Sequence, residues 1–143
     1  MNLDTVPRVD REVIMTWEKA TRALRSSRHE TLHPEPAFII ASQAALQACL
    51  AVLRATGQQV IGRGQRQAIF SRVADLNAGE LSRLARALDR MGKLRHEALY
   101  GSTIVIDAAQ LAKMQELARR LFAAAYEWLR TTTPGLELTP PPG

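Results

Sequence analysis

The chain has 143 residues, 46% of them hydrophobic and 23% charged, and a formal net charge of +5 at pH 7. Those values suit one globular domain with a core of its own, and the lone cysteine, Cys49, excludes an internal disulfide. No hydrophobic leader follows the charged N-terminal residues, and no apolar run approaches the roughly 20 residues of a membrane span. We therefore expect a cytoplasmic protein with no membrane partner.

The first predicted helix begins at Asp10, a candidate N-cap, and ends near Arg28. Residues 1–9 before it are a lead-in. Its apolar residues recur every three or four positions and form one stripe, made of Val13, Trp17, Ala20 and Leu24. We expect Trp17, and likewise Trp128 in the last helix, to be a core or interface anchor.

The second predicted helix, from Ala37 to Thr56, is apolar over more than half of its surface. Such a helix belongs at the centre of a bundle, and Gly57 is a natural residue to end it. Cys49 lies in this stretch and is therefore interpreted as a small core residue rather than a reactive thiol.

Local signals mark the third and fourth helices. The third is predicted from about Gln65 to Leu76, and Asn77 followed by Glu80 resembles a capping box that starts the fourth. The apolar stripe of the fourth helix consists of Leu81, Leu84, Ala85, Leu88 and Met91. Gly92 lies inside this helical pattern and indicates either close backbone packing or a kink.

The last helix follows a break at Gly101 and an extended, β-branched segment at 103–106. Asp107 and Gln110 form a second candidate capping box, and apolar residues then recur from Leu111 to Leu129. Residues 131–143, rich in Thr and Pro, are expected to be a disordered tail. The sequence thus predicts an all-α, five-helix, up-and-down bundle that forms one domain over residues 10–130.

Polar chemistry concentrates between residues 90 and 102, at the end of the fourth helix. Arg95 and His96 are adjacent, and Tyr100 lies one helical turn after His96, so a cation, an imidazole and a phenol share one short surface. Basic residues also exceed acidic ones from 63 to 95, which suits a phosphate backbone. The alternative is that these residues form a solvated helix face, on which Arg occurs because it favours helix formation.

Residues 95–101 read Arg-His-Glu-Ala-Leu-Tyr-Gly. This segment resembles the motif of HEPN domains, in which Arg and a polar residue are followed at short spacing by His or Tyr. The order of elements is also similar, with a long apolar helix, a loop, a short helix, the motif helix and a final amphipathic helix. The resemblance covers about Arg11 to Leu129 and is to small stand-alone HEPN toxins of HEPN–nucleotidyltransferase toxin–antitoxin pairs.

The resemblance implies a metal-independent endoribonuclease, acting on RNA as a toxin or defence component. It further implies a homodimer whose two motifs face each other, and a nucleotidyltransferase-type or other antitoxin as partner protein. In that frame Arg95 holds the scissile phosphate, His96 moves protons as the ribose 2′-OH attacks, and Tyr100 supports them. Further candidate RNA or phosphate contacts are Arg63, Arg66, Arg90, Lys93 and Ser102.

Tyr100 occupies the position at which the ribonuclease motif carries His, which leaves two interpretations open. Either His96 substitutes as the proton carrier, or the domain binds RNA or a nucleotide, or scaffolds a partner, without cutting. A plain helical dimerisation protein with an incidental basic face is a third possibility. No cofactor is expected, and no metal site is predicted because His29 and His33 match no standard ligand spacing.

Overall fold

The computed structural model describes residues 8–58, 68–99 and 106–142, with the helical backbone alone for 93–99. Those residues contain five α-helices and no β-strand, which confirms the all-α prediction. The helices are α1 (Asp10–Ser27), α2 (Pro34–Ala55), α3 (Ile69–Ala74), α4 (Glu80–Leu99) and α5 (Ala108–Thr132).

Helix α2 is the centre of the bundle, as its composition predicts. It contacts each of the other four helices, and its side chains Phe38, Cys49 and Leu53 are fully buried. At 22 residues it is also long and apolar enough to cross a membrane, so the expectation that no apolar run reaches that length is wrong. Because 61% of its most apolar stretch is buried inside the bundle, the core role accounts for the same composition.

Helices α1 and α5 both pack on α2 and are joined by an aromatic cluster around Trp17. The Trp17 side chain is fully buried, and its ring centroid lies 5.5 Å from that of Phe122 and 6.1 Å from that of Tyr126. Such separations are typical of favourable aromatic pairs. The prediction that Trp17 anchors the core is confirmed, while Trp128 is only half-buried.

The helix starts agree only in part with the predicted caps. Asp107 and Gln110 form the predicted capping box, in which the Asp107 carboxylate accepts from the Gln110 amide at 2.9 Å. The predicted Asn77–Glu80 box is wrong, because Asn77 has a left-handed φ of 55° and the Glu80 carboxylate instead accepts hydrogen bonds from Arg83 and Arg120. The N-cap of α1 is Val9, one residue before the predicted Asp10.

Two further helix boundaries differ from the sequence prediction. Helix α2 starts at Pro34 rather than Ala37, with proline in its first turn, where the missing amide hydrogen costs nothing. Helix α3 starts at Ile69, and the predicted start at Gln65 lies outside the described residues. A Cβ added to Gly92 meets nothing within 4 Å, so this glycine is not there for close packing.

The predicted disordered tail is wrong for residues 133–142, which pack against the bundle. Leu136 is only 8% exposed and Leu138 lies against the hydrophobic core. The indole Nε1 of Trp17 also donates a 2.7 Å hydrogen bond to the carbonyl oxygen of Thr139. Proline in this segment therefore prevents helix formation without preventing a fixed path over the surface.

Candidate functional site

The predicted motif begins on the last turns of α4. Lys93, Arg95 and His96 lie on its helical backbone, and Arg90, one turn earlier, is exposed. The other candidate residues lie outside the described residues, namely Arg63, Arg66, Tyr100 and Ser102. The structure thus places the Arg-His pair on a helix, as predicted, near its carboxyl-terminal end.

Position 95 continues the buried row of α4. Leu84, Leu88 and Met91 are buried, and at 3.6 residues per turn position 95 falls within about 40° of each of them around the helix axis. The row is therefore apolar along the body of the helix and basic at its end.

The other basic positions of α4 lie on a different side of the helix. Arg90 is about 140° from Arg95 around the axis and Lys93 about 160°, whereas His96 is about 100° away at the edge of the buried row. The fold consequently does not place Arg90 and Lys93 on the face of α4 that carries position 95. Arg90 shares the exposed face of α4 with Arg83 and Arg86.

The exposed basic face of α4 is partly engaged within the chain. Arg83 binds the Glu80 carboxylate with both Nε and Nη2, and Arg86 donates from Nη2 to the carbonyl oxygen of Ala74 at 3.1 Å. Hydrogen bonding by Arg83, together with Arg120, lowers the pKa of the Glu80 carboxyl below its ordinary value. Arg90, like Arg83 and Arg86, is exposed at the surface of α4.

An open groove of about 720 Å³ lies at the opposite end of α4, against the carboxyl-terminal half of α5. Its floor is apolar, with Leu81, Ala123 and Ala124, and the half-buried Trp128 forms one wall. Charged side chains surround it, namely Glu80, Arg119, Arg120 and Glu127. The sequence analysis missed this groove because the groove depends on how α4 and α5 pack. Its only signal in the sequence was Trp128, which has both apolar and polar neighbours along the chain.

The remaining polar candidates have local roles in the described part of the chain. Burial raises the pKa of the Cys49 thiol, which makes the thiolate inaccessible at neutral pH and agrees with the predicted core role. His29 contacts the Thr31 hydroxyl at 2.8 Å through Nδ1. Among the described residues, no group of three or more His, Cys, Asp or Glu is arranged to hold a metal ion.

No protein-family model matches this chain, and neither a curated protein nor a solved structure gives a significant match.

Proposed function

We propose that this protein is a HEPN-type endoribonuclease that cleaves RNA without a metal ion, as a toxin or defence component. The observation that carries the proposal is the position of Arg95 and His96 at the end of α4, where Arg95 takes over the register of the buried row. The all-α fold around a long apolar helix agrees with the order of elements that the HEPN resemblance implies.

The chemistry needs only groups that the chain and its substrate carry. Arg95 binds the scissile phosphate and stabilises the charge that develops on its oxygens. His96 carries an imidazole, a group suited to proton transfer near neutral pH, and exchanges protons as the ribose 2′ oxygen attacks phosphorus and the bond to the 5′ oxygen breaks. Because the nucleophile belongs to the RNA, no metal-bound water is required.

The decisive experiment is RNA cleavage in EDTA by the wild type, Arg95→Ala and His96→Ala. We expect Arg95→Ala to lower the rate roughly 100-fold or more, and His96→Ala to lower it by a comparable factor. Arg22→Ala is the matched control, since it removes one exposed guanidinium from α1. Intact RNA with the wild type across varied substrates, together with harmless expression, contradicts the proposal.

The second candidate is an RNA-binding HEPN module that does not cut. Tyr100 at the position of the motif histidine favours it, because a phenol with a pKa near 10 is a poor base at neutral pH but stacks well on a nucleobase. Filter binding over a salt series identifies this case, since affinity for phosphates falls steeply with salt. Binding without cleavage selects the module, and salt-insensitive or absent binding excludes both RNA functions.

The partner proteins that we propose are a second copy of the chain and an antitoxin, both implied by the resemblance. Co-expression with the protein encoded by the neighbouring gene tests the antitoxin. Rescue of cell growth by a nucleotidyltransferase-type neighbour supports the toxin function. Cells that express Arg95→Ala should grow without the neighbour, because the variant is inactive.

A further inference from the structure

The groove between α4 and α5 has a floor that allows another helix to approach closely. Ala123 and Ala124 lie at its centre, and small side chains permit a short distance between helix axes. Trp128 borders them and keeps part of its indole exposed, although the same ring contacts the core. Aromatic side chains such as Trp are enriched at the buried centre of protein interfaces.

One pair of oppositely charged residues on the outer face of α5 is symmetric about the midpoint between Ala123 and Ala124. Arg120 lies three residues before that pair and Glu127 three residues after it. If the helix is turned end over end about this midpoint, Arg120 therefore opposes Glu127 and Glu127 opposes Arg120. A parallel copy instead opposes each charge with its own kind, which costs free energy.

We propose that two copies of this chain dimerise through this face, with their α5 helices antiparallel and a two-fold axis between Ala123 and Ala124. A surface that pairs with itself through a two-fold axis is what a closed homodimer requires, because each contact then occurs twice. Arg120 of each copy pairs with Glu127 of the other, while the two Trp128 side chains cover the alanine floor from both ends.

Both members of the new ion pair are available for it. The Glu127 side chain is 71% exposed, and its contact with Arg130 in the same helix is long, at 3.8 Å. Arg120 is 41% exposed and binds one oxygen of Glu80 at 2.8 Å. A guanidinium has five N–H donors, so Arg120 can retain Glu80 and bind a second carboxylate.

This dimer goes beyond the proposed ribonuclease activity and stands independently of it. Glu80, at the edge of the groove, is about 22 Å along α4 from Arg95 at 1.5 Å per residue. The proposed contact therefore differs from a dimer in which the two Arg-His motifs face each other. Loss of this contact with RNA cleavage retained affects the α5 dimer alone, and loss of cleavage with the contact retained affects the ribonuclease alone. A monomeric wild type contradicts both dimers.

Charge reversal tests the pairing in the full chain. We expect Glu127→Arg and Arg120→Glu each to weaken dimerisation roughly tenfold or more, because each sets like charges against each other twice. An equimolar mixture of the two variants should form a heterodimer, since every cross-contact is again a base with an acid. Sedimentation velocity measures all four samples, and circular dichroism confirms that each variant is folded.

The control is Glu18→Arg, which makes the same change of charge on the exposed side of α1 and should leave the dimer unchanged. A wild type that stays monomeric at high micromolar concentration overturns the proposal. So does a dimer that Glu127→Arg leaves intact, because such a dimer uses another surface.

Cross-linking locates the axis without altering charge. In a Cys49→Ala background, Ala124→Cys should form an intermolecular disulfide under mild oxidation, because position 124 lies next to the two-fold axis. Ser26→Cys, exposed on α1, is the matched control and should remain reduced. Equal cross-linking at both positions, or none at 124, contradicts the antiparallel arrangement.

Discussion

The indole Nε1 of Trp17 donates a hydrogen bond of 2.7 Å to the backbone carbonyl of Thr139, 122 residues later in the chain. The contact joins α1 to the segment that follows α5, and it satisfies a donor in a ring that is otherwise fully buried. An indole N–H buried without a partner costs about 1–3 kcal/mol, so this segment supports the core rather than merely following it.

Removal of the segment should therefore destabilise the bundle. A chain that ends at Thr132 loses the Trp17 hydrogen bond and the burial of Leu136, and we expect the free energy of unfolding to fall by about 2–4 kcal/mol. Urea denaturation followed by circular dichroism measures the change. A chain that ends at Pro140 keeps both contacts and is the control; equal stability of the two truncated chains refutes the role assigned to residues 133–139.

Two glycines both have room for a side chain but differ in backbone conformation. A Cβ added at Gly92 or at Gly79 meets nothing within 4 Å, but Gly92 is helical and Gly79 has a φ of +61°. Gly92→Ala should stabilise the protein by about 0.5–1 kcal/mol. Gly79→Ala should destabilise it by about 1 kcal/mol, because alanine rarely adopts a left-handed φ. The pair is compared by thermal unfolding, and changes of the same sign would count against this assignment.

The ion pairs of Glu80 with Arg83 and Arg120 should make the stability of the fold depend on pH under acidic conditions. Because Arg83 and Arg120 lower the pKa of the folded carboxyl below 4.5, its contribution is fully present above that value and disappears as the pH falls through the lower, folded pKa. Glu80→Gln should thus lower Tm slightly at pH 7 and have no such effect well below pH 4.5. Glu18→Gln removes an exposed acid that forms no ion pair within the described part of the chain, and it should show no comparable trend.

Cys49 should report global unfolding. The thiol is fully buried and its pKa is raised by burial, so a thiol reagent reaches it only when the core opens. We expect slow modification in buffer and fast modification in denaturant, measured by absorbance of the released chromophore. Rapid labelling of the native protein would show instead that α2 is accessible from solvent.

Local sequence patterns predicted the helices well. Predictions failed mainly where contacts between distant residues determine the structure. The stripe through Val13, Trp17 and Leu24 and the Asp107–Gln110 box depend on residues within a turn or two, and both are confirmed. The packed segment after α5 escaped prediction, because nothing near Thr139 in sequence reveals a partner on α1. The Asn77 cap failed for local reasons as well, since Asn77 has a left-handed φ and the Glu80 carboxylate binds Arg83 in the same helix, besides Arg120 on another.

The candidate site divides in the same way. Sequence alone placed Arg95 and His96 together on a helix, because adjacency and helical spacing are local properties. It also grouped Arg90 and Lys93 with them, although rotation around α4 sets those two on another side of the helix. The groove beside Trp128 needed the packing of α4 against α5, which no periodicity encodes.

The hydrogen bond from Trp17 to Thr139 also constrains when the protein can finish folding during synthesis. Helix α1 leaves the ribosome early, yet its central indole acquires its acceptor only after residue 139 has emerged. Until then the aromatic cluster of α1 and α5 is incomplete, and a nascent chain exposes apolar surface that chaperones recognise. The bundle is therefore completed after translation has passed this residue, rather than helix by helix from the N-terminus.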